Sequence, residues 1–135
     1  MSTCICGSAK NSAQCCAQYI HGERVAPDAE SLMRSRYMAY TQVNMEYILN
    51  TMRGQALANF DPQKAAEWAK QIKWLRLEVL NATPITATDH TAYVEFIAHY
   101  LFQGRREKLH EVSEFHRIDG RWYYIDGRSY HIRPD

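Results

Sequence analysis

The chain has 135 residues, 46% of them apolar and 12% aromatic, enough for one packed domain that buries about two thirds of its unfolded surface, plus a small appendage. Sixteen basic and fifteen acidic side chains leave a formal charge of +1, so composition gives no strong nucleic-acid signal and no broad basic footprint. No apolar run approaches the ~18 residues of a membrane span, and no basic-then-apolar leader opens the chain. The expectation is a cytoplasmic protein without membrane insertion.

All four cysteines, Cys4, Cys6, Cys15 and Cys16, fall at the start of the chain. A C-x-C pair and an adjacent pair can close tetrahedrally around one zinc ion, with Zn–S bonds of about 2.3 Å. The residues between them are small or polar and suit a loop, and Gly7 can take the left-handed backbone of a tight turn. A disulfide framework fits poorly in a reducing compartment, and a redox pair lacks the usual C-x-x-C spacing; reactive free thiols remain an alternative. Four sulfur ligands leave no place for water, so the zinc is expected to be structural; His21 is a further candidate ligand, with a solvated surface position the commoner alternative once the cysteines complete the shell.

Residues 17–25 read as a connector, with Tyr19 and Ile20 available to pack the metal loop onto the rest. Asp28 caps a first helix running to about Gln42, with Leu32, Met33, Arg36, Tyr37 and Tyr40 on the side that should face a sheet. Asn44 caps a second helix with a stripe of Met45, Ile48, Leu49 and Met52. After a loop around Gly54, Asp61-Pro62 opens a third helix that ends near Gln71. From Lys73 the period becomes two: Leu75, Leu77 and Val79 are expected on a buried face, alternating with Trp74, Arg76 and Glu78. Pro84 to Asp89 is a turn. Thr91 to Phe102 is a strand apolar on both sides, hence central, or lining a cavity or a subunit contact through which a homodimer can form. Lys108 to Ile118 returns, Asp119-Gly120 forms a type I′ hairpin, and Trp122 to Ile125 is the last strand. Helices followed by a strand meander predict an α+β fold, about three helices packed on a curved antiparallel sheet.

If that sheet encloses a pocket, its candidate ligand-binding residues are Arg36, Tyr37, Trp74, Glu95, His110, Glu111 and Trp122. Glu95 and His99 share a strand face but are too far apart to form a dyad, whereas a cross-strand pair such as His99 with Glu111 could supply a general base. Structural pairing is the commoner fate of such groups. Arg34 is expected in solvent and Arg36 on a carboxylate such as Glu95 or Glu111.

Cys4-x-Cys6-Gly7-Ser8-x-Lys10 with Cys15-Cys16 resembles the SEC-C motif, the zinc module found at the C-terminus of the SecA preprotein translocase; Ala9 stands where the motif usually has glycine. Ala29 to Tyr37, Val94-Glu95-Phe96, His110-Glu111-x-Ser113-x-Phe115 and Asp119 to Tyr124 look like the YchJ family of bacterial proteins, over nearly the whole chain. The resemblance implies a SEC-C-like zinc knuckle and connector over residues 1–25. Behind them it implies a nuclear transport factor 2-like (NTF2-like) cone over residues 26–135, and no particular activity. Two functions follow as expectations. One is a module with structural zinc that docks to a protein or ribonucleoprotein partner, as the translocase modules do. The other is a small-molecule binder or isomerase/hydratase-like enzyme that uses the cone.

Overall fold

The computed structural model describes residues 3–84 and 89–130. A 3-10 turn (Ser12–Gln14) and helix α1 (Cys16–Ile20) carry the cysteine segment; α2 (Ala29–Thr41), α3 (Met45–Asn50), α4 (Gly54–Ala58) and α5 (Pro62–Lys70) follow. Strands β1 (Ile72–Ala82), β2 (Thr91–Phe102), β3 (Arg105–Ile118) and β4 (Arg121–Tyr130) then form an antiparallel meander in sequence order. The turn expected from Pro84 to Asp89 falls mostly on residues outside the described ones.

Three helices start where the sequence places a cap. The side chains of Asp28, Asn44 and Asp61 accept from the backbone N–H groups of Ser31, Tyr47, and Gln63 and Lys64 respectively, each cap contributing about 1 kcal/mol by satisfying donors the first turn leaves open. Helices α1 and α4 were not expected. Neither has a side-chain cap; α4 is held instead from outside, because Arg53 N–H donates to Tyr124 O, and Tyr124 N–H to Thr51 O, just ahead of it.

The hairpins at Gln103-Gly104 (φ 51° and 79°) and Asp119-Gly120 (φ 51° and 81°) each have two residues with positive φ, the type I′ pattern whose twist matches the flanking strands. Strand β1 departs from simple alternation. Register shifts between Trp74 and Arg76 and between Val79 and Asn81 send Leu75 and Leu80 out, 41% and 43% exposed, and let Trp74 join Leu77 and Val79 against the core. The expected burial of Leu75 is therefore corrected by a β-bulge. Strands β3 and β4 run longer than expected, because the ladder continues from Arg105 and past Gly127.

The inner sheet face presents Leu77, Val94, Phe96, Ala98, Phe115 and Trp122 to α2, which contributes Leu32, Met33 and Tyr37. Burying each large side chain contributes about 1.5–3 kcal/mol. All four cysteines belong to this same cluster. Gly7, at φ +84°, lies so close to β1 that a Cβ would stand 3.3 Å from Leu77 O, and Arg34 Nη1 donates to Cys6 O at 2.7 Å while its Nε meets Glu30 at 3.0 Å. Arg34, expected in solvent, instead pins the cysteine loop to α2.

Candidate functional site

Two places concentrate chemistry. At the first, the Sγ atoms of Cys4, Cys6, Cys15 and Cys16, all buried, lie within 4.8 Å of one another; Cys6 to Cys15 is 3.6 Å and Cys15 to Cys16 is 3.8 Å. A tetrahedron with 2.3 Å zinc–sulfur bonds has edges of about 3.8 Å, so the donor set fits a metal ion such as zinc. The cluster's electrostatics calls for a cation. A hydrogen bond from the Cys16 thiol holds Cys6 down to about 4, while the same bond, with burial, pushes Cys16 up. Crowded sulfurs cannot all ionise without a positive charge among them. Ser8 Oγ lies 3.1 Å from Cys15 Sγ and anchors that ligand from outside the shell. His21 is exposed and outside the group, and Ala9 takes φ 68°, the backbone that favours the glycine usual in the motif.

At the second, the sheet, α2 and α5 enclose a cavity of about 410 Å³. Its walls are mostly aromatic and aliphatic, and Arg36, Tyr37, Trp74 and Glu111, four of the expected pocket residues, line it. Trp68 and Trp74 meet edge to face at 5.6 Å and 80°, and Tyr37 packs on Trp74 at 5.5 Å. The Glu111 carboxylate accepts from Ser113 Oγ at 2.5 Å and Tyr124 OH at 3.1 Å, both at Oε2. Arg36 does not reach a carboxylate as expected. Its Nη1 donates to Ile48 O at 2.9 Å and to Thr51 Oγ1 at 2.7 Å, and its guanidinium lies 4.6 Å from the Tyr124 ring centroid. Burial lowers the Arg36 pKa, and burial next to the Glu111 charge pushes the Tyr124 hydroxyl up. Burial also raises Tyr37 to about 12, helped by the charge on Cys6; its hydroxyl and the Trp74 Nε1 are buried with no hydrogen-bond partner among the described residues.

Glu95, His110 and Trp122 are not in the cavity. Strand alternation puts Glu95 on the outer face, and the pairing of Ile97 with His110 puts His110 there too; the two meet at 2.7 Å, with Asn81 donating to Glu95 at 2.9 Å. Trp122 is a buried core residue whose ring borders a separate cleft of about 140 Å³ with Leu32 and Tyr47. A His99–Glu111 pair is also excluded. Glu111 stands opposite Phe96 on the inner face, while His99 points outward to Glu78 at 2.5 Å. Tyr40, Trp68, Phe96, Ser113 and Phe115 line the cavity without being among the expected ligand residues; Tyr40 falls on the α2 side expected against the sheet and Phe96 on the strand expected to be apolar on both sides.

A four-stranded antiparallel meander wrapped on helices, with a buried cysteine cluster at one end, defines an NTF2-like α+β protein with a SEC-C motif. The family model for the middle NTF2-like domain of YchJ matches residues 28–127, and the chain belongs to that family. It is 41% identical over 131 residues to a UPF0225 protein of Geobacter sulfurreducens, covering 97% of this chain and 80% of that one. It is 35% identical to the UPF0225 protein YchJ of Shigella dysenteriae over 133 residues, 92% of this chain and 81% of the other. The solution structure of a SEC-C motif containing protein from Rhodopseudomonas palustris superimposes with a TM-score of 0.86 at 33% identity, covering 96% of this chain and all of that one. Among the described residues no helix is long and apolar enough to cross a membrane.

Proposed function

We propose that this protein binds a small organic molecule in its cone, and that a structural zinc at the four cysteines keeps the cone in shape. The observation that carries the reading is the cavity itself. About 410 Å³ of space stays open beside the core, in the range of small-molecule sites, and it is bordered by a buried arginine and a carboxylate. Arg36 is buried and Glu111 half-buried, and two hydrogen-bonded charged groups set beside open volume suit a polar guest better than they suit packing. The zinc reading is supported by the sulfur spacing and by the closed donor set, which suits a fold-stabilising ion.

Ala98→Trp tests the binding reading, because Ala98 is on the cavity wall and an indole there occupies the space. Ligands recovered with the wild-type protein by mass spectrometry are expected to be absent from this variant while its circular dichroism is unchanged; equal recovery would contradict the reading.

Docking of a protein or ribonucleoprotein partner is a second reading, favoured by one feature. Ile5 is 44% exposed between two buried cysteines and gives the metal loop an apolar tip. Ile5→Ser is expected to abolish capture of such a partner without loss of metal; capture that survives the change removes this reading.

A further inference from the structure

We propose that the cone recognises a neutral, flat-ringed molecule whose polar end donates a hydrogen bond, from a hydroxyl or an N–H, to Glu111, and that it rejects carboxylates. This inference rests on the cone being a ligand site.

The walls set the ring. Trp68 and Trp74, near perpendicular, make a corner in which one indole can stack on a planar guest while the other meets its edge, and Met33, Phe96, Leu109 and Phe115 supply apolar surface around it. The polar end sets the head group. Ser113 Oγ and Tyr124 OH both donate to Glu111 Oε2, which among the described residues leaves Oε1 as the acceptor for a guest. This arrangement is built into the backbone. A Cβ on Gly127 would stand 2.3 Å from Tyr124 Oη and 2.4 Å from Glu111 Oε2, so only glycine at that point of β4 lets carboxylate and phenol meet. A register shift next to Phe115 lets Tyr124 and Gly127 serve the same face although they stand three positions apart.

Charge sets the preference for a neutral guest. Tyr124 carries Arg36 on its ring and Glu111 on its hydroxyl, so one cation and one anion already balance across it. A neutral donor keeps that balance. A second carboxylate beside Glu111 adds a buried charge without a partner, which is among the costlier things a binding site can hold. Lys64, exposed at the rim, is the one cation outside this pair that borders the cavity among the described residues.

Three naphthalene probes separate the possibilities: 2-naphthol, 2-methoxynaphthalene and 2-naphthoate, titrated into the full metal-loaded chain at pH 7 and read from the indole N–H resonances of Trp68 and Trp74. The expected order is naphthol about tenfold tighter than the methyl ether, the worth of one hydrogen bond to a charged acceptor, with naphthoate weakest. In Glu111→Gln the first ratio narrows to about threefold or less and naphthoate gains. The wild-type series carries the test even where the variant does not fold. Equal binding of naphthol and ether, or naphthoate tightest, overturns the ligand class and leaves the cone as a binding site. No indole shift with any probe at millimolar concentration overturns the cone reading itself.

Discussion

The cysteine corner and the cone draw on one helix and one core but treat enclosed polar groups in opposite ways. At the corner, four sulfurs crowd within 4.8 Å of one another, with Cys6 and Cys16 wholly buried, and every ligand position of a metal is filled. In the cone, Arg36 and Glu111 are held by protein partners, yet each faces space, and Glu111 keeps one oxygen outside those bonds. Saturation makes the first a fixture of the fold. Spare bonding capacity is what the proposed ligand site draws on at the second. Helix α2 joins them, since Arg34 grips the cysteine loop while Met33, Arg36 and Tyr37 border the cavity.

The strongest way to break the contrast is to empty the corner. Chelation, or Cys16→Ser, is expected to remove on the order of 5 kcal/mol, since metal-binding energy at such sites is folding energy, and to lower the thermal midpoint by roughly 15 °C. Calorimetry with and without chelator checks it; an unchanged midpoint refutes a structural metal. Packing should answer differently on the two sides. Ala29→Leu, at 1% exposure in the cluster that holds the cysteines, is expected to cost about 1–3 kcal/mol in urea unfolding, whereas Ala98→Leu, which grows into open cavity, should stay within about 1 kcal/mol of the wild type. Equal losses would mean the cone is not open space. Ala9→Gly should sharpen the corner by about 1 kcal/mol, because alanine at φ 68° sits in a backbone region costly for any side chain, and the same urea series reads the gain.

The smallest effect lies on the outer face. The hydrogen bond from His99 holds the Glu78 carboxyl below its ordinary value of 4.5, so the stability it lends is present above that pH and lost as pH falls through the lower folded value. Urea midpoints taken between pH 5 and 3 should fall less steeply in Glu78→Gln than in the wild type; parallel slopes would mean the pair contributes nothing.

Where the sequence carried local signals, the fold could be read from it. Asp28, Asn44 and Asp61 marked three helices, Asp119-Gly120 a hairpin, and period-two alternation the bounds of β2. Helix α4 was not legible because its stability comes from β4 and not from its own cap. The outward turn of Leu75 was missed because a bulge, which depends on the partner strand, shifts its parity. The cysteines announced their cluster through spacing, whereas only four of the seven expected pocket residues line the cavity. Glu95, Glu111 and the histidines look alike in one dimension, and only register separates the outward pairs Glu95–His110 and Glu78–His99 from inward Glu111. Gly127 was a signal passed over, a glycine in a strand that marks close approach of something else.

A crystal structure of the zinc-loaded protein soaked with 2-naphthol tests the whole account at once. It should show metal among the four sulfurs, the naphthalene ring against Trp68 and Trp74, and the hydroxyl within hydrogen-bond distance of Glu111. A cone closed by its own Trp74 or Met33, with the probe elsewhere, would contradict it.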